Sequence, residues 1–153
     1  MNARKYLESF RIADKRIQIK TEQIEMLQER LTSITAPMDK EQVNHTKNVG
    51  IVADTVAKIV DMQTEIDQQR AALYDAKNEA FNLLDQLLPH YENILIDRYI
   101  EGKSIKEISC KRFLSTRQVI RRINEGIDEL QVVIDRMAHD DTSMSPACHI
   151  HGT

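Results

Sequence analysis

Between Arg98 and Arg122 the chain places eight lysines and arginines against only Glu101 and Glu107, a local excess of six positive charges in a protein of formal net charge −3. The remaining sequence is therefore acidic, and the basic segment is a localised feature rather than a general bias. Its residue types suit a polyanion. Guanidinium forks pair with phosphate oxygens and with the O6/N7 edge of guanine, and a primary amide fits the corresponding edge of adenine. Thr116, Arg117, Gln118 and Arg121 bring such groups within six residues of one another. Lys103, Lys106, Lys111, Arg112, Ser115 and Arg122 surround them and suit phosphate contacts, which position a protein on a duplex without reading sequence. Double-stranded DNA is the partner this chemistry predicts.

Other chemistries find less support. Asp14, Glu65 and Asp85 are among many carboxylates, but no pair stands out as an acid–base couple, and neither a glycine-rich phosphate loop nor a nucleophile elbow occurs. No catalytic residue is assigned and no enzymatic activity is expected. His139, Cys148, His149 and His151 have metal-ligating side chains. They lie in or beside the polar, unpatterned stretch Asp140-Asp-Thr-Ser-Met-Ser-Pro-Ala, which reads as a flexible tail, so neither a metal nor another cofactor is expected. Cys110 and Cys148 do not make a disulfide framework. The start, Met1-Asn-Ala-Arg-Lys-Tyr, opens no apolar run of signal or membrane-spanning length, so a cytoplasmic location without membrane contact is expected.

The candidate residues need helices to hold them. Ser104-Ile-Lys-Glu107 is a capping box, in which the serine hydroxyl and the glutamate carboxylate each satisfy an unpaired amide at a helix start. Ser115-Thr-Arg-Gln118 repeats the pattern eleven residues later and opens a helix predicted to reach about Met137. Two caps this close imply two helices joined by a tight turn. Ile105, Ile108, Leu114, Val119, Ile123, Ile127 and Leu130 point inward, with Ser109 small where the helices approach. Thr116, Arg117, Gln118, Arg121 and Arg122 then point outward from the first two turns of the second helix.

Upstream, low aromatic content, no tryptophan, four glycines and three prolines favour long helices. Ala3, Tyr6, Phe10, Ala13, Ile17, Ile24, Leu27, Leu31 and Ile34 follow a three-four alternation with Lys20 at the skipped step, a heptad seam. A helix of that length spans about 45 to 50 Å at 1.5 Å per residue and must find a partner helix. Pro37 ends it, and the polar stretch to Asn48 reads as a connector, with room for one short turn near Asp39. A second helix is predicted from about Gly50 to Leu88 with Val52, Val56, Ile59, Ile66, Leu73, Ala80, Leu84 and Leu87 on one side. The pair forms an antiparallel hairpin, within one chain or doubled in a homodimer. Pro89 suits the first turn of a further helix, and Gly102 suits its end.

Leu95-Ile-Asp-Arg-Tyr-Ile-Glu-Gly-Lys-Ser-Ile-Lys-Glu-Ile-Ser109 followed by Leu114-Ser-Thr-Arg-Gln-Val119 resembles region four of bacterial sigma factors. The wider layout resembles small phage and prophage transcriptional regulators of the ArpU and RinA type. The resemblance covers about residues 94–130. It implies recognition positions at Thr116, Arg117, Gln118 and Arg121 and a promoter as target, with the long helices left to mediate self-association or to contact RNA polymerase. Arg112 stands where an apolar residue is usual, and Phe113 replaces a small or polar turn residue, which allows a one-residue shift of the turn.

The expected fold is all-α: a long, coiled-coil-like N-terminal helical hairpin over 1–89, a compact helix-turn-helix domain over 90–138 and a tail over 139–153. The expected function is sequence-specific DNA binding in transcription regulation. A phage DNA-packaging adaptor resembling a small terminase subunit and a helical protein-interaction module are the alternatives.

Overall fold

The computed structural model describes the backbone of residues 1–35 and 45–150 and the side chains of residues 1–34 and 49–141. The fold is all-α, and no strand occurs among the described residues. Among the described residues five helices follow in order: α1 Ala3–Thr35, α2 His45–Leu84, α3 Pro89–Leu95 continued by a π turn over Ile96–Ile100, α4 Ile105–Arg112 and α5 Thr116–Ile150. The connector around Pro37 and the short turn near Asp39 lie outside the described residues. Helix α2 begins before Gly50, where the sequence placed its start.

The chain divides into two compact units, Ala13–Tyr74 and Met1–Ile12 with Asp75–Thr153. The divisions fall inside the two long helices and not at residue 89. In Ala13–Tyr74 the helices pack as the antiparallel hairpin, with Ile17 and Ile24 of α1 buried against Ile66 of α2, and Ile59, Met62 and Leu73 packed around them. Lys20, at the skipped seam position, pairs its ammonium with Glu65 across the hairpin. Val56, placed on the seam by its spacing, is instead exposed, as are Ile19, Met26, Val60 and Tyr74.

The other unit buries Ala3, Leu7 and Phe10 at the start of α1 and Ala80, Leu84 and Leu87 at or just beyond the end of α2. Ile94, Leu95, Tyr99, Ile100, Ile108, Val119, Ile123, Ile127, Leu130, Val133 and Ile134 complete its core. Polar contacts fasten α1 to α5. The Ala3 N–H donates to Gln131 Oε1 at 2.8 Å, Gln131 Nε2 donates to the Met1 carbonyl at 3.0 Å, and Arg4 donates to Asn124 Oδ1 at 2.9 Å.

Pro89 occupies the first turn of α3, as its missing amide hydrogen favours. The π turn beyond it is not foreshadowed by the sequence pattern. There the Glu101 N–H reaches back five residues to the Ile96 carbonyl at 2.9 Å, and the Lys103 N–H reaches the Asp97 carbonyl at 2.9 Å. Gly102 takes φ +73°, the left-handed geometry that closes the helix. Gly126 permits the close approach of α3 and α5: a Cβ there would lie 3.2 Å from Leu95 Cδ1 and 3.3 Å from Tyr91 Cβ. Helix α5 runs to Ile150, past Met137 and through most of the stretch expected to form a tail. Between Gly126 and Pro146 no glycine or proline interrupts it. The side chains of Cys148, His149 and His151 lie outside the described residues. No helix among the described residues is long and apolar enough to cross a membrane.

Candidate nucleic-acid interface

Both caps form in full. At α4 the Glu107 N–H donates to Ser104 Oγ at 3.1 Å, and the Ser104 N–H donates to Glu107 Oε2 at 3.4 Å. At α5 the Gln118 N–H donates to Ser115 Oγ at 3.1 Å, and the Ser115 N–H donates to Gln118 Oε1 at 2.9 Å. Each pair satisfies two helix-terminal donors reciprocally and fixes where its helix starts. Between the helices Phe113 adopts φ 56°, ψ 42°, and its N–H donates to the Ser109 carbonyl. The Leu114 N–H donates to that same carbonyl at 3.1 Å, and Ser109 Oγ donates to the Leu114 carbonyl. This is a left-handed helix stop of the kind glycine usually supplies, built around phenylalanine. Ser109, expected only as a small residue, thus bonds both sides of the turn. Ile108 of α4 and Val119 of α5 are both fully buried.

The turn leaves Thr116, Arg117, Gln118 and Arg121 all exposed on the first two turns of α5. Their surroundings differ. Gln118 folds its amide back into the cap, so its oxygen already accepts one hydrogen bond. Arg121 lies 3.8 Å from Glu125, whose other oxygen accepts from the Tyr91 hydroxyl at 3.0 Å. That hydrogen bond, more than burial, raises the Tyr91 pKa above its ordinary value. An exposed i,i+4 pair such as Arg121–Glu125 is worth about 0.3–0.5 kcal/mol and yields readily to a phosphate.

The residues expected to hold phosphate separate into two groups. Lys111 Nζ and Arg112 Nε each lie 2.9 Å from the Asp97 carboxylate, and Lys103 Nζ lies 3.8 Å from it and 2.7 Å from Glu101. Asp97 is the buried charged side chain among the described residues, 1% exposed. Burial works to raise its pKa, but hydrogen bonds from Arg112 and Lys111 outweigh burial and hold the carboxyl below its ordinary value. Arg98 donates to the Lys103 carbonyl at 3.1 Å. Lys111 and Arg112 thus brace the π turn against α4, and Arg98 and Lys103 tie that turn to the loop that follows it. Arg112 at a position usually apolar is explained by this pairing.

Lys106 is exposed, and Arg122 is half-buried and lines a cleft of about 310 Å³. The cleft is lined by Pro89, Ile94 and Leu114 together with His90, Asn93, Arg112 and Arg122, with no carboxylate in its lining. Ser115 serves as the α5 cap. Asp97, Gly126, His90 and Asn93 escaped the sequence reading. An acid set between the apolar residues Ile94-Leu95-Ile96 and Tyr99-Ile100, ahead of an excess of cations, is the signal that could have pointed to Asp97.

Among the described residues no cluster of three or more His, Cys, Asp or Glu side chains is arranged to hold a metal, and Cys110 is a free, exposed thiol. No protein-family model, curated protein or solved structure matches the chain.

Proposed function

We propose that the chain binds double-stranded DNA through α4, the Phe113–Ser115 turn and α5, and that it regulates transcription at a promoter. The observation that carries the reading is the turn itself. Two complete capping boxes fix α4 and α5 about a three-residue turn, and the first two turns of α5 then project Thr116, Arg117, Gln118 and Arg121 to solvent. A helix presented N-terminus first fits the major groove, where arginine bonds guanine in fork fashion.

Arg117 and Arg121 are the principal readers in this account. Gln118 keeps its amide nitrogen for a base edge while its oxygen holds the cap, so its first role is positional. Lys106 and Arg122 meet phosphates, and Lys103, Lys111 and Arg112 act mainly through Asp97. The step from DNA binding to transcription rests on the resemblance to sigma-factor region four and the phage or prophage origin on that to ArpU- and RinA-type regulators; a cytoplasmic location and a contact of the long helices with RNA polymerase belong to the same proposal. Exposed Ile19, Met26, Val60 and Tyr74 on the long helices support self-association as a homodimer.

The test is selection of bound fragments from host and prophage DNA, followed by gel shift on the enriched site. Arg117→Ala and Arg121→Ala should each cost about 1–3 kcal/mol of specific binding. Unchanged specific binding by a folded double variant refutes the assignment. A ring-sized assembly in light scattering, with binding to packaging-initiation DNA and no effect on transcription, would instead favour the packaging adaptor.

A further inference from the structure

We propose that Phe113 is a DNA-contacting residue whose ring packs on the deoxyribose of the strand beside the α5 N-terminus. The inference rests on the DNA-binding reading of α5 and extends it to a residue that neither charge nor helical spacing selects. Phe113 departs from what folding alone favours in two independent ways. It is the one non-glycine residue with positive φ among the described residues, where Cβ crowds the following carbonyl. Its side chain is also 94% exposed, the most of any large apolar residue described. Glycine or asparagine would close α4 with less strain, and a polar side chain would suit the solvent.

A strained, exposed aromatic at a fixed place points to a role outside the fold. Its setting indicates which. Lys111 and Arg112 immediately precede it, the Lys111 side chain remains 42% exposed while bound to Asp97, and the capped start of α5 follows two residues later. Glu107, Glu101 and Glu125 are the nearest acids in sequence, and all three are held, in the α4 cap, by Lys103 and by Tyr91 respectively. An apolar ring set beside cations and a helix N-terminus suits a polyanion with apolar sugar faces. It is poorly suited to an acid-free apolar protein pocket.

The chain lacks tryptophan, so Phe113→Trp places a single tryptophan at the turn, which can be excited selectively over the four tyrosines. Titration with a random-sequence duplex should quench and shift the F113W emission while binding stays near that of the unaltered chain. Phe113→Gly should raise the thermal midpoint and yet weaken duplex binding about fivefold. Its salt dependence should be unchanged, because an apolar contact releases no counterions. Unaltered emission from a DNA-bound F113W chain, or full-strength binding by F113G, overturns the inference while leaving DNA binding by α5 intact. Failure of the unaltered chain to bind any duplex overturns both.

Discussion

Replacing Asp97 with asparagine tests whether the basic segment is braced from within. The carboxylate is 1% exposed and takes hydrogen bonds from Lys111 and Arg112 at 2.9 Å, with Lys103 3.8 Å away. Asparagine keeps the volume and one acceptor but removes the charge. Breaking a buried pair commonly costs about 3–5 kcal/mol because the surviving partner is left uncompensated. Here the partners reach water, with Arg112 33% and Lys111 42% exposed, so solvent screening brings the expected loss to about 2–3 kcal/mol. For a chain of this length that corresponds to a fall in Tm of roughly 5–10 °C.

The pH dependence gives the sharper assay. Because the folded pKa is depressed, the stabilisation is fully present above the unfolded value of about 3.9 and is lost as pH falls through the lower folded value. Urea midpoints of the two proteins should therefore differ by a constant amount from neutral pH down to about pH 5 and converge below about pH 4. Curves that stay parallel into acid, or an Asp97→Asn protein as stable as its parent at neutral pH, would refute the reasoning.

Two further substitutions address the frame that presents α5. Gly126→Val places a branched side chain where even a Cβ meets Leu95 Cδ1 at 3.2 Å and Tyr91 Cβ at 3.3 Å, and Leu95 is fully buried. Overpacking should lower stability by about 1–3 kcal/mol in thermal denaturation followed by circular dichroism, despite the helix propensity gained on losing glycine. Ser115→Ala removes the cap oxygen at α5 and should cost about 1 kcal/mol in urea denaturation. Binding to duplex should weaken with it, since the first turn carrying Arg117 frays and Gln118 loses its anchor.

Features written in local chemistry were legible in the sequence. Ser104 and Ser115 with their partners three residues on, Pro89 at a helix start, Gly102 at a helix end and the buried set Ile108, Val119, Ile127 and Leu130 all stand as their residue types dictate. Features that depend on two distant segments were not. Asp97 becomes an internal counter-ion only because the π turn brings its carboxylate to the end of α4, and no periodicity announces a five-residue hydrogen bond. The role of Gly126 exists only where α3 crosses α5. Leu7 lies off the three-four seam and is buried in the unit that holds α5.

Charge counting overstated the surface available to a ligand. Eight cations in sequence became four braced against Asp97 or a backbone carbonyl, and four, Lys106, Arg117, Arg121 and Arg122, open to a partner. Gln118 shows the complementary limit. One side chain was expected both to cap and to read, and geometry gives its oxygen to the cap first.

That division of the cations makes the salt dependence of duplex binding the most direct test of the central claim. Each neutralised phosphate contributes about −0.9 to the slope of log affinity against log salt, so the two phosphate-contacting cations Lys106 and Arg122 predict a slope of about −2. Affinity should then fall roughly tenfold between about 50 and 200 mM salt, and a Lys106→Ala, Arg122→Ala double variant should lose most of that slope, whereas Arg117→Ala, Arg121→Ala should lose specific affinity with the slope little changed. A chain that fails to bind duplex DNA at low salt, or a Lys106→Ala, Arg122→Ala variant whose slope matches that of the unaltered chain, would contradict the assignment of α4 and α5 as the DNA-binding element.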